Sequence, residues 1–97
     1  MTLYLKKPIP IEAVHFSRLE GEDWDDAWDR LRIFTDDHVE WEADDFTGED
    51  SFQVYDYLHD TWVTFYKEDW ILKGVEGEFY PHNGELFLKV YEEYSGG

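Results

Sequence analysis

The chain has 97 residues, no cysteine and a formal net charge of −16, from 24 Asp and Glu against eight Lys and Arg. The missing cysteines exclude disulfides, thiolate zinc sites and cysteine nucleophiles, and the charge sets the chain against nucleic acid and anionic membranes and in favour of basic surfaces. Aromatic residues make up 20% of the chain; each can bury roughly 150–250 Å², which predicts a folded domain and not an acidic disordered tail.

The charge is concentrated. Residues 20–50 hold fourteen acids and two bases, Arg30 and Arg32, and so carry −12 of the −16. No apolar run approaches the ~20 residues that span a bilayer. Residues Met1–Pro8 lack the apolar core of a signal peptide, so a cytoplasmic location is expected.

In chain order, Ile9–Phe16 reads as a strand, with Pro8 and Pro10 placing it at an edge or giving it an irregular start. A helix is predicted from Asp23, which can cap the first-turn amides with Asp26 three residues on. Trp24, Ala27, Trp28 and Leu31 then form one apolar helix face. His38–Glu42 alternates, Val39 and Trp41 on one side and Glu40 and Glu42 on the other. The polar stretch Ala43–Asp50 is predicted to be a loop. Ser51–Leu58 and Thr61–Tyr66 read as strands of a hairpin turned at His59-Asp60. Trp70–Lys73 is a further strand, and Gly74–Gly77 turns the chain into Glu78–Tyr80, which Pro81 is expected to stop. Asn83 is placed to cap a short closing helix. Together these predict an α+β fold: one acidic domain over 1–94 with a frayed end at 95–97. It is built on a twisted, mainly antiparallel sheet of five or six strands, with one helix near 23–33 and a second near 84–92.

Two segments carry a resemblance. Lys6-Lys7-Pro8-Ile9-Pro10-Ile11-Glu12-Ala13 resembles the opening of a family of small phage and prophage proteins, and Asp69-Trp70-Ile71-Leu72-Lys73-Gly74-Val75-Glu76-Gly77-Glu78-Phe79-Tyr80-Pro81 resembles its closing motif. Phe87 and Tyr91-Glu92 are similar to its tail. Residues 17–66 match nothing in it. The family usually has Gly where this chain has Glu68, and often Cys where it has His82. The resemblance implies a phage-encoded protein of unassigned activity and carries over no catalytic residue.

The residues themselves point to binding. His15, His38, His59 and His82 have no metal-ligand spacing, and no nucleophile elbow or phosphate loop is present. No catalytic residue, metal or cofactor is expected. Asp44–Asp50 is rich in oxygen ligands, but Phe46 occupies a position where an EF-hand needs an acid. The acids Glu22, Asp25, Asp26, Asp29, Asp36, Asp37, Glu40, Glu42, Asp44, Asp45, Glu49 and Asp50 are the candidate partner-binding set. Helical steps of three or four residues place carboxylates roughly 5 Å apart along the axis, and alternate strand positions place them roughly 6.7 Å apart. Both spacings are of the order of phosphates along DNA. Trp41, Trp62, Tyr55 and Tyr57 are the candidate aromatic anchors.

The expected function is a non-enzymatic phage inhibitor. Its DNA-mimic-like acidic face would block a basic, nucleic-acid-binding host or defence protein, without direct contact to nucleic acid or membrane, as a monomer or a homodimer. The alternatives are an anti-defence protein that sequesters a nucleotide signal, with Lys67, Lys73 and Arg18 among its few cations, and a housekeeping phage protein whose acidity only keeps it soluble.

Overall fold

A computed structural model of the protein describes residues 1–3 and 10–91. Lys6–Ile9, Glu92 and the Ser95–Gly97 end lie outside them.

Helix α1 spans Trp24–Phe34 and starts where the local chemistry requires. The Asp23 carboxylate accepts from the Asp26 amide at 3.0 Å, and the Asp26 carboxylate accepts from the Asp23 amide at 3.1 Å. This reciprocal pair satisfies two amides that the first turn leaves without partners. Its far end is closed by backbone. The amide of Asp36 donates to the Ile33 carbonyl and that of Asp37 to the Arg32 carbonyl, at 3.4 and 2.9 Å, with both aspartates left-handed at φ 52° and 64°. The bond pattern is that of a Schellman stop, and aspartate is among the few non-glycine types that tolerate this backbone. Replacing Asp23 with alanine is expected to lower stability by about 1 kcal/mol, and replacing it with serine by much less. Urea unfolding of the two variants checks this, and equal losses would contradict the cap.

Six strands follow the predicted order: β1 Glu12–His15, β2 Val39–Ala43, β3 Asp50–Asp56, β4 Thr61–Phe65, β5 Trp70–Lys73 and β6 Phe79–His82, with helix α2 at Gly84–Val90. They do not form one sheet. Two antiparallel three-stranded sheets are present, ordered β1-β5-β6 and β2-β3-β4. The switch occurs at Tyr66–Asp69. There the Phe16 carbonyl accepts from the Glu68 amide at 2.8 Å, and the Phe16 amide donates to the Asp69 carbonyl at 2.9 Å. These bonds direct β5 onto β1, with Val14 opposite Ile71, and away from β4. Glu68 sits at φ 76°, a conformation glycine takes without strain.

Three local expectations are corrected. Pro81 does not stop β6: it lies within the strand, opposite Ile71. Because β6 is an edge strand, the amide that proline lacks is not needed on the outer side. The β3–β4 hairpin closes through four residues, Tyr57–Asp60, between the paired Asp56 and Thr61, not through His59-Asp60 alone. The 43–50 loop is shorter than expected, because Ala43 and Asp50 pair as strand residues.

The core lies between α1 and the inner faces of the two sheets and gathers Phe16, Ala27, Leu31, Val39, Phe52, Val54, Phe65, Ile71 and Phe79. Trp28 of α1 packs on Trp41, Phe52 and Phe65, so α1 covers the inner face of β2-β3-β4. On the far side of β1-β5-β6, α2 docks by stacking Phe87 on Trp70 with ring centroids 4.0 Å apart. The Asn83 carboxamide caps α2 through the Glu85 and Leu86 amides. The Gly84 amide donates to Asp69, and a side chain at Gly84 would collide with the Glu68 carbonyl.

Candidate acidic and aromatic binding face

The outer face of β2-β3-β4 is open: Glu40, Glu42, Ser51, Trp62 and Thr64 on it are exposed, and Gln53 and Tyr55 are half-buried. Strand alternation puts Glu40, Glu42, Ser51, Gln53, Tyr55, Trp62 and Thr64 on it, because Val39, Phe52, Val54 and Phe65 point inward to the core. Glu40 stands opposite Gln53, and Glu42 opposite Ser51. Tyr55 stands opposite Trp62, their ring centroids 5.3 Å apart. None of the three strands contains a lysine or arginine.

At one end of this face the β2–β3 loop is hydrogen-bonded onto itself. The Asp44 carboxylate accepts from the Phe46 and Thr47 amides at 2.8 and 3.3 Å. These two bonds, Phe46 first, hold its carboxyl below the usual carboxylate range. The Thr47 hydroxyl accepts from the Glu49 amide, and Gly48 supplies the left-handed turn at φ 71°. The loop presents Phe46, fully exposed, between Asp45 and Glu49. In the sequence Phe46 stands out only as the residue that spoils a calcium loop. Its exposure follows from its place at the tip of a tight Asx-stabilised turn. Among the described residues no three acids or histidines converge as metal ligands.

The candidate acids separate into two groups. Glu40, Glu42, Asp45, Glu49 and Asp50 are exposed on or beside the outer sheet face. Asp25 and Asp29 project from α1, which lies against the opposite face, so the predicted acidic band does not form one surface. Several of the acids already serve the fold. Glu22 is paired with Arg30; that hydrogen bond, and next the Leu19 amide, lower its carboxyl pKa. Asp26 belongs to the α1 cap. Asp29 and Asp37 both pair with Arg32, at 3.3 and 2.8 Å, and Asp36 and Asp37 stop the helix.

The candidate aromatics also divide. Trp62 is 43% exposed and Tyr57 50%, and Tyr55 is half-buried. Tyr57 spends its hydroxyl inside the protein, donating to the Glu76 carbonyl, and so ties the β3–β4 loop to the β5–β6 turn. Trp41 is corrected as an anchor: it points inward, its ring 5.5 Å from Trp28 and 5.3 Å from Phe52.

Below the aromatic pair, the β3–β4 loop is held by Asp56, which is buried. Its carboxylate accepts from the Leu58 amide at 3.0 Å, and one oxygen lies 2.7 Å from His59 Nδ1. Burial pushes its pKa up, but the hydrogen bonds from His59 and Leu58 outweigh it, and the pKa falls below the ordinary 3.8. A carboxyl lowered on folding contributes stability that is present above its unfolded pKa and lost as pH falls through the folded one. Asp56→Asn is therefore expected to cost about 1–2 kcal/mol at pH 7 and to differ less from the parent at pH 3. Urea unfolding of both proteins at the two pH values tests this, and an unchanged gap would contradict it.

Comparison of the chain with protein-family models, with curated proteins and with solved structures returns no match.

Proposed function

We propose that the protein is a phage-encoded, non-enzymatic inhibitor. In this reading its acidic face occupies the nucleic-acid site of a basic host or defence protein. The observation that carries it is the outer face of β2-β3-β4: exposed Glu40 and Glu42, a loop of further acids around Phe46, and the Tyr55–Trp62 pair, on strands with no cation of their own. Carboxylates give long-range attraction and a fast encounter more than affinity. Desolvated aromatic side chains supply the grip, and here both kinds of group lie on one surface.

Capture from bacterial lysate on the immobilised protein tests the reading. The expected result is retention of a DNA- or RNA-acting protein at low ionic strength. It should be lost near 1 M salt, where the screening length falls to about 3 Å. Capture of nothing, or capture indifferent to salt, would contradict it.

One observation favours a second reading, the trapping of a nucleotide signal. Lys67 and Arg18 lie 4.5 and 5.3 Å from the ring centre of Trp24, which brings together the ring and the cations a nucleotide site needs. Release of a nucleotide on heating the purified protein would favour this reading over the first.

A further inference from the structure

We infer that Tyr55 and Trp62 form a seat for a guanidinium group, so that the partner engages this face through an arginine on an exposed segment. The inference rests on the proposed function and names the chemistry its partner must bring. The two side chains are opposed in register across β3 and β4, and their rings are tilted by 49°. The His38 ring continues the row 6.4 Å from Tyr55. The Tyr55 hydroxyl donates to the Asp60 carboxylate, which fixes the ring and adds a negative charge at its rim. That hydrogen bond, and next burial, raise the Tyr55 pKa, so the phenol stays neutral. Glu40 lies on the same face, two residues along from His38 and opposite Gln53.

An aromatic face with a carboxylate at its rim and another on the same sheet surface attracts a cation through the ring quadrupole and through charge at once. The protein uses the same contact internally, with Lys67 and Arg18 over Trp24. Among the described residues no cation sits over Tyr55 or Trp62. Arginine fits better than lysine, because its planar guanidinium can stack on the rings and still fork to a carboxylate. A nucleobase would stack as well, but its phosphates would meet Glu40, Glu42 and Asp60. A second copy of this chain would bring the same acids against each other.

The test uses the full chain, nitrogen-labelled, with the indole N–H signal of Trp62 identified by Trp62→Phe. The probes are a short peptide alternating arginine and serine, its lysine and citrulline counterparts, and oligothymidylate. The arginine peptide should move the Trp62 signal and bind about two- to fivefold more tightly than the lysine peptide. The citrulline peptide and the oligonucleotide should leave the signal in place. Trp62→Ala and Glu40→Gln should each weaken the arginine peptide by about two- to fivefold, with Trp62→Phe retaining most of the binding. If the arginine peptide moves signals of the β2–β3 loop or of α1 but not Trp62, the seat is overturned while the acidic-surface reading stands. If no cationic peptide binds at low salt, both fall. Movement of Trp62 by oligothymidylate would also overturn the seat.

Discussion

Replacing Phe16 with alanine is expected to cost the fold about 3–5 kcal/mol. Phe16 has no exposed surface, and its ring meets four others: Trp24 at 5.2 Å, Trp28 at 6.0 Å, Phe52 at 5.0 Å and Phe65 at 5.5 Å. It therefore joins α1 to β3 and β4 on the inner face of the β2-β3-β4 sheet. Its backbone also pairs with Glu68 and Asp69 at the point where the chain changes sheets. Truncation leaves a cavity walled by large, rigid rings, which cannot collapse to fill it. Domains of this size hold only about 5–15 kcal/mol in total, so the variant is expected to unfold at far lower urea or not to accumulate folded. Phe46→Ala removes the same ring from a fully exposed site and should change stability by less than about 0.5 kcal/mol. Tryptophan fluorescence during urea unfolding distinguishes the two. Equal losses would contradict the assignment of Phe16 to the centre of the core.

The second large effect is on binding, and it depends on which acids are removed. Changing Glu40, Glu42, Asp45 and Glu49 to the corresponding amides is expected to weaken partner capture by about tenfold or more. Each exposed charge is worth about 0.2–1 kcal/mol, and each 1.4 kcal/mol is about tenfold. Changing Asp25 and Asp29, on the side of the molecule that α1 covers, should alter it by less than about twofold if the outer sheet face is the contact. Neither set serves as a cap of α1, and the fold is expected to tolerate both, since lowering a net charge of −16 relieves self-repulsion. Measuring captured partner for both variants at one ionic strength gives the comparison. A larger loss from the helix pair would move the contact to α1.

What could be read before the structure was mostly local. Asp23 as a cap, the inward stripe Trp24–Leu31, Asn83 ahead of the last helix, and the alternation of Val39 and Trp41 against Glu40 and Glu42 each depend on a few neighbouring residues. The chemistry of those residues determines them. The arrangement of the strands was not local. The pairing of Val14 with Ile71 spans most of the chain, and nothing in either strand's alternation names its partner, so one sheet was expected where two formed. Pro81 shows the same limit: a proline ends a central strand but not an edge strand, and edge status is a property of the whole sheet. Counting acids showed where charge is dense but not which carboxylates are already engaged. Glu22 meets Arg30 eight residues on, and Asp36 and Asp37 turn the chain. Trp41 and Trp62 look alike as anchors by residue type, but Trp41 shares the apolar Val39 face that turns to the core, whereas Trp62 alternates with the inward Val63 and Phe65. Phe46 was legible only as an anomaly in a metal loop, since its exposure depends on the turn that Asp44 holds.

Competition with DNA tests whether the acidic outer face stands in for nucleic acid. Duplex DNA carrying a fluorophore is bound to the captured partner, and the protein is titrated in while the anisotropy of the DNA is followed. The protein is expected to displace the DNA. Displacement should weaken as salt rises, and the variant lacking the Glu40, Glu42, Asp45 and Glu49 charges should displace far less. A ternary complex in which partner, DNA and protein remain together would contradict it.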